Sequence, residues 1–228
     1  MSLSSFEFSP PIIPPLITRH AGDAAFYWQQ RDNSMHSPLA GLPQLLEFDR
    51  LLDAHLDGLR AAGEAGWDIA LAQLQRWARA PETFVCATLA LEHANASARL
   101  PSIWAVVQQN PARMLRGLIS ALAWVPSAQS ALWCLHRLQD EQTPTALAVA
   151  AWRALAIQHS TAGHPQTLQP NNMQDVLQKA LPTALTSPDA HLRAAACRFL
   201  AQFDKQHLLP FLQDTQPAVR AEAAIGLM

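Results

Sequence analysis

Three aspartates spaced four residues apart form the most regular set of reactive side chains in this sequence. Asp49, Asp53 and Asp57 would share one face of a helix, because residues i and i+4 are neighbours on a helix surface. Like charges at this spacing destabilise an isolated helix by about 0.2–0.5 kcal/mol per pair. Other groups should therefore offset the three charges. Nearby candidates for that role are Arg31, His55 and Arg60.

The aspartate face admits two interpretations. It is either a surface whose charges are solvated or paired within the protein, or an acidic stripe that binds a basic partner. A metal site is the weakest reading, because carboxylates alone suit Ca²⁺ or Mg²⁺, and these ions also require a loop that wraps around them.

Catalytic and metal-binding motifs are missing from the sequence. It has no G-x-S-x-G and no H-E-x-x-H motif, and its cysteines and histidines do not fall at zinc-finger spacing. The three cysteines lie in Ala- and Leu-rich stretches, where a thiol is typical of a small core residue. The sequence thus predicts no enzyme activity, no cofactor and no metal. The cysteines are Cys86, Cys134 and Cys197.

Composition indicates a helical protein. Of the 228 residues, 50% are hydrophobic and 15% are charged, whereas an average domain has about 25% charged residues. The formal net charge is −2, with 16 Lys and Arg against 18 Asp and Glu. A nonspecific nucleic-acid binder is normally basic, so the charge balance argues against nucleic acid as the partner.

The N-terminal stretch lacks the features of a targeting segment. It has no basic n-region, carries Glu7, and is interrupted by prolines, so it does not resemble a signal peptide. No apolar run approaches the ~18 residues that a membrane-spanning helix needs. We expect a cytoplasmic protein that makes no contact with a membrane.

Residues 1–80 are predicted to form an N-terminal arm and a helical cap. Prolines in the first 18 residues favour an extended arm over a helix. The next elements are expected to be a helix over 19–31, a loop over 32–43, and a helical hairpin. In that hairpin, apolar residues recur at helical spacing over 44–62 and again over 67–78.

Residues 81–228 are predicted to form repeats of two helices each. Prolines after short polar breaks recur at intervals of roughly 30–45 residues, and proline is tolerated in the first turn of a helix. The longest interval holds a polar insertion over 158–172, which in a repeat protein often marks the binding face. The landmark prolines are Pro81, Pro111, Pro144, Pro188 and Pro217.

The last two repeats resemble HEAT repeats of the bilin-lyase type. Their shared pattern is D-x-x-P-x-V-R-x-x-A-x-x-x-L, matched in full by the second copy and in most positions by the first. In the second copy it is carried by Asp214, Pro217, Val219, Arg220, Ala223 and Leu227, and in the first by Asp189, Leu192, Arg193, Ala196 and Leu200. The resemblance implies that Arg193 and Arg220 tie neighbouring repeats together through an acid.

Residues 45–74 resemble the start of a bacterial family whose members have a helical N-terminal region followed by HEAT-like repeats. These proteins are often encoded beside tip and effector genes of type VI secretion systems. The resemblance extends over residues 16–228 and implies further repeats after Met228. Its matching positions are Arg31, Asp49, Leu52, Ala54, His55, Leu56, Gly58, Leu59, Gly63, Ala65, Gly66 and Trp67.

The expected architecture is thus all-α: an α-solenoid of HEAT-like helical hairpins with a helical N-terminal cap. The expected function is a non-catalytic scaffold that binds a secreted effector or toxin, as its immunity protein. Alternatives are an effector adaptor or chaperone, or a HEAT-fold enzyme such as a DNA glycosylase or a bilin lyase. Residues expected to contact the partner are Asp49, Asp53, Asp57, Arg153, Arg198 and Glu222.

Overall fold

The computed structural model of the chain describes residues 12–125, 127–161 and 173–228. Within these ranges the chain is helical and contains no strand. The α-helices are α1 (Pro14–Ser34), α2 (Leu42–Ala61), α3 (Glu64–Trp77), α4 (Ala80–Glu92), α5 (Ala96–Val107), α6 (Pro111–Trp124), α7 (Ser127–Gln139), α8 (Thr145–Thr161), α9 (Met173–Leu185), α10 (Ala190–Leu200) and α11 (Pro217–Leu227). A 3₁₀-helix, Gln206–Gln213, precedes α11.

Prolines begin several of these helices, as the sequence predicts. Pro81, Pro111 and Pro217 all lie in the first two positions of their helices. The first N–H groups of a helix have no partner inside the helix, so a residue that lacks the N–H costs little there. The predicted helical hairpin is also confirmed, since α2 and α3 cover the two amphipathic stretches.

The N-terminal arm is shorter than predicted. Helix α1 begins at Pro14, although the proline content of the first 18 residues favoured an extended chain there. Pro14 and Pro15 take the first positions of the helix, where proline is compatible with helical geometry. The helix then continues to Ser34, beyond the expected end at residue 31. The arm residues 1–11 lie outside the described residues.

Six helices form a row in which each packs on the next. The order is α1, α4, α6, α8, α10 and α11, and the other helices pack beside this row. Helix α4 lies in the middle of the N-terminal half, in contact with α1 and α6 and also with α3 and α5. Every residue of α4 from Pro81 to Leu91 is buried. This explains why α4 has almost no polar face.

Small residues let neighbouring row helices approach closely. Gly117 of α6 faces the backbone at the start of α4, and a Cβ atom built there would lie 1.9 Å from the carbonyl oxygen of Ala80. Because no side chain fits in that space, glycine is required at this crossing. Helices α8 and α10 are also in contact, and most of their alanines are buried.

The apolar core is continuous from the first helix to the tenth. One cluster of buried side chains extends from Ile17 in α1 to Phe199 in α10. A second, smaller cluster joins α10, the 3₁₀-helix and α11 around Leu208 and Val219. The division of the chain at residue 80 into a cap and a repeat region stays a prediction.

The start of the predicted polar insertion is helical. Helix α8 continues to Thr161, so Gln158 and His159 belong to it, although a loop was predicted there. The His159 ring packs against Phe199 and Phe203, with centroid distances of 5.7 and 4.9 Å. Burial lowers the pKa of His159. The rest of the insertion, 162–172, lies outside the described residues.

Two histidines join α1 to α2. The Nδ1 atoms of His20 and His55 lie 3.0 Å apart, so one of them donates an N–H hydrogen bond and the other, unprotonated at Nδ1, accepts it. Tyr27 stacks on the His55 ring, and the Nε2 atom of His55 lies 3.9 Å from the Asp23 carboxylate. Burial is the largest cause of a lowered pKa at His55; Asp23 opposes it, and Arg19 and His20 add to it.

We expect the protein to lose stability as the pH falls below about 6.5. A pKa that is lower in the fold than in the unfolded chain means that the unfolded chain binds the proton more tightly. His55 and His159 therefore favour the folded state fully above pH 6.5, the usual value, and less as they become protonated. The check is the urea midpoint at pH 8 and pH 5.5. The change in urea midpoint between the two pH values should be smaller in His55→Gln than in the native chain. An equal change in that variant would contradict the assignment of this pH dependence to His55.

Among the described residues, no helix is both long enough and apolar enough to cross a bilayer.

Candidate protein-binding surface

The three aspartates of α2 are each paired within the protein. Asp49 is hydrogen-bonded to Arg31 of α1. Asp53 and Asp57 both accept hydrogen bonds from Arg60, at 3.0 and 2.6 Å. The expectation that other groups offset the three charges is confirmed.

Arg60 also joins two helices. Its guanidinium donates two hydrogen bonds to Glu92 of α4, at 2.8 and 2.7 Å. These bonds to Glu92 are the main reason why the pKa of Arg60 is raised, with smaller contributions from Asp57 and Asp53. The aspartate face thus helps to hold α2 against α4. Its role as an acidic surface for a basic partner stays a prediction.

Three other predicted residues meet at one place. Arg153 of α8 and Arg198 of α10 both approach the Glu222 carboxylate of α11, at 3.6 and 3.5 Å. We call Arg153, Arg198 and Glu222 the arginine cluster. The helices that carry them are consecutive in the row, so packing of the row is what unites residues far apart in the chain.

The electrostatics of the arginine cluster are unbalanced. Burial lowers the pKa of Arg153; Glu222 raises it, while Arg198 and Arg116 lower it further. The Arg153 Nε atom is enclosed and has no hydrogen-bond partner among the described residues. Arg116 is itself neutralised, because it donates several hydrogen bonds to Asp32, two of them at 2.8 Å. In the part of the chain that the structure describes, the guanidinium groups of Arg153 and Arg198 therefore share the one carboxylate of Glu222.

The Arg116–Asp32 pair was not predicted from the sequence. It joins α6 to the end of α1 across 84 positions of the chain. Helical periodicity reports only neighbours within one helix, so no local signal could have found this pair. The structure does not bring the aspartates of α2 into the arginine cluster; they pair with Arg31 and Arg60 instead.

One of the two repeat arginines makes the contact with an acid that the HEAT resemblance implies. Arg193 donates two hydrogen bonds of 2.9 Å to Asp214 and others to the backbone carbonyls of Ser187 and Pro188. Arg220 donates to the carbonyl oxygens of Asp214 and Thr215, at 2.8 and 3.1 Å. The expectation for Arg193 is thus confirmed. For Arg220, backbone carbonyls take the place of the acid.

Removing the charge of Asp214 should loosen the C-terminal helices. Asp214→Asn leaves Arg193 without its carboxylate, and we expect a loss of about 1–2 kcal/mol in the free energy of unfolding. Arg193 is also the main reason why the pKa of Asp214 is lowered. The native contribution is therefore present above pH 3.8, the usual value, and disappears as the pH falls through the lowered pKa. Urea unfolding at pH 7 and pH 3 checks both effects. Asp68→Asn, at an exposed position of α3, is the control and should change little.

A cavity lies among α7, α8, α9 and α10. This cavity of about 600 Å³ is lined by both signs of charge, including Arg137, Asp140, Glu141 and Lys179. Neither cysteine nor histidine is among its lining residues.

The cysteines are buried, as predicted. All three are free and enclosed in the core. Burial raises the pKa of the Cys86 and Cys134 thiols strongly and that of Cys197 to about 12. A thiol of this kind stays protonated at neutral pH, so these groups are poor nucleophiles.

Comparison with known proteins does not assign the chain to a family: no family model, no curated protein and no solved structure matches it. The described side chains offer hydrogen-bond donors and positive charge at the arginine cluster.

Proposed function

We propose that this protein is a non-catalytic scaffold that binds another protein, built as an α-solenoid of HEAT-like hairpins behind a helical N-terminal cap. The row of helices, each packed on the next with the others beside it, supports this architecture. The Arg193–Asp214 tie between the last two repeats supports the HEAT-like assignment of the C-terminal part. Stacked helical repeats present extended surfaces, which such proteins use to bind partners.

The proposed partner is a secreted effector toxin of a type VI secretion system, and the protein is its immunity protein, acting in the cytoplasm. The secretion-system link rests on the resemblance of residues 45–74. The single observation that carries the binding role is the arginine cluster, where three row helices place charged side chains together. Arginine is among the residue types that contribute most to protein interfaces.

Affinity capture of the full tagged chain from its own host tests this proposal. Cells should express the neighbouring secretion genes, and bound proteins are identified by mass spectrometry. We expect a stoichiometric effector that is toxic when produced alone and harmless when produced with this protein. An effector that is bound but stays toxic would indicate an adaptor instead. Capture of nothing specific would reject the effector partner and favour an enzyme.

A further inference from the structure

We propose that the arginine cluster binds a carboxylate of the partner, so that the partner docks an acidic segment between Arg153 and Arg198. This inference rests on the proposed binding function, because it names the chemistry of the partner at that same surface. Three observations support it: the charge balance of the cluster, the length of its ion pairs, and the exposure of one arginine side chain.

Among the described residues, the charge balance of the cluster leaves one positive charge without a counter-ion of its own. Arg153 and Arg198 face one carboxylate, Glu222, and the neighbouring Arg116 is already paired with Asp32. Burial makes the charge of Arg153 costly, since a desolvated ion needs a close counter-ion. The chain as a whole carries a net charge of −2, so this excess is a local property of the cluster.

The ion pairs of the cluster are loose. The two arginines lie 3.6 and 3.5 Å from Glu222, whereas Arg193 and Asp214 form two bonds of 2.9 Å. Charge-assisted hydrogen bonds between guanidinium and carboxylate usually measure about 2.7–2.9 Å. Neither Arg153 nor Arg198 makes a hydrogen bond of that kind to the described residues. Their planar donor groups therefore remain available for a second carboxylate.

The cluster can be reached from outside. The Arg198 side chain is 48% exposed, whereas Glu222 is 14% exposed. An incoming carboxylate would meet Arg198 first and then lie beside Arg153, while Glu222 stays behind them. A single excess charge suits one acidic side chain; nucleic acid would need a broader basic surface, which the charge balance of the chain does not favour.

The test measures anion binding at the two guanidinium groups directly. The ¹H–¹⁵N signals of the arginine Nε–H groups are followed at low salt while a capped tetraglutamate peptide is added to the full chain. Inorganic phosphate is added in a second series. We expect saturable shifts at Arg198 and Arg153 with the peptide, weakened by added NaCl. Tighter binding of phosphate than of the peptide would overturn the acidic-segment assignment, as would the absence of a saturable shift.

Two variants move the affinity in opposite directions. Arg198→Gln removes one of the two donors, and its peptide affinity should fall about tenfold, the effect of losing one charged hydrogen bond. Glu222→Gln removes the competing carboxylate and should strengthen peptide binding several-fold. If Glu222 had only a structural role, replacing it would not strengthen the binding of the peptide. Weaker binding in a folded Glu222→Gln variant, checked by circular dichroism, would therefore contradict the proposal.

Controls separate this inference from the proposed function. Arg50→Gln lies on α2, where Arg50 pairs with Glu47, and should leave the peptide affinity unchanged. Arg198→Lys keeps the charge and should retain most of the binding. If the effector is captured equally well by the native chain and by Arg198→Gln, the binding function stands and the carboxylate assignment fails. If the peptide binds but no effector is captured, the assignment stands and the effector partner fails.

Discussion

Phe84→Ala is expected to lower the free energy of unfolding by about 3–5 kcal/mol, the cost of deleting a fully buried aromatic ring. Phe84 is 0% exposed and lies in the middle of α4. Its ring stacks on Trp28 of α1 at 5.6 Å and meets Trp124 of α6 edge-on at 5.7 Å. One side chain thus holds three row helices together, and the cavity left by alanine would open at their junction.

Equilibrium unfolding in urea measures this effect, with tryptophan fluorescence as one probe and circular dichroism as another. Phe26→Ala is the matched control, because Phe26 of α1 is 54% exposed and its deletion should cost only about 0.5 kcal/mol. Coincident transitions by both probes would justify reading the midpoint shift as a free energy. A loss below about 1 kcal/mol for Phe84→Ala would contradict the packing at this junction.

Gly117→Ala is expected to destabilise the protein by about 1–3 kcal/mol, although alanine is the better helix former. The added methyl group would lie 1.9 Å from the Ala80 carbonyl oxygen, and the obstacle is backbone rather than a flexible side chain. Helices α4 and α6 would have to separate, which would also disturb the neighbouring contacts of Phe84. The free energy of unfolding lost to this steric overlap is larger than the gain from the higher helix propensity of alanine.

Gly22→Ala, the same substitution inside another helix, is expected to have the opposite effect on stability. A Cβ atom at Gly22, inside α1, would have nothing within 4 Å. Alanine there should be neutral or stabilise the protein by up to about 1 kcal/mol, because it reduces the entropy of the unfolded chain. Equal effects of the two substitutions in urea unfolding would contradict the close approach of α4 and α6.

Local sequence patterns were reliable where one helix face decided the outcome. The amphipathic stretch over 44–62 became α2, and Pro81, Pro111 and Pro217 begin helices because the first turn tolerates proline. Pro14 and Pro15 follow the same rule, although the proline content of this stretch predicts an extended arm. At the end of α8, polar residues suggested a loop, yet His159 packs on the aromatic rings of α10 and its neighbouring turn. Tertiary contacts there outweigh composition.

The candidate surface shows the same limit. Sequence spacing placed Asp49, Asp53 and Asp57 on one helix face, and the need for compensating charge followed from it. It could not show that Glu92, on a different helix, shares Arg60 with two of them. The sequence predicted only that Arg153, Arg198 and Glu222 lie on the same surface. Helix packing brings both arginines within 3.6 Å of the one Glu222 carboxylate.

The sequence by itself determined that this protein is helical, that several of its helices begin at prolines, and that its cysteines are core residues. These features depend on propensity, periodicity and local charge, which act within a few residues along the chain. Only the tertiary structure decided which helices form the row, why Gly117 has to be a glycine, and which charges are neutralised. Those outcomes depend on contacts between residues distant in the chain, because shape and charge compensation are properties of the packed helices together.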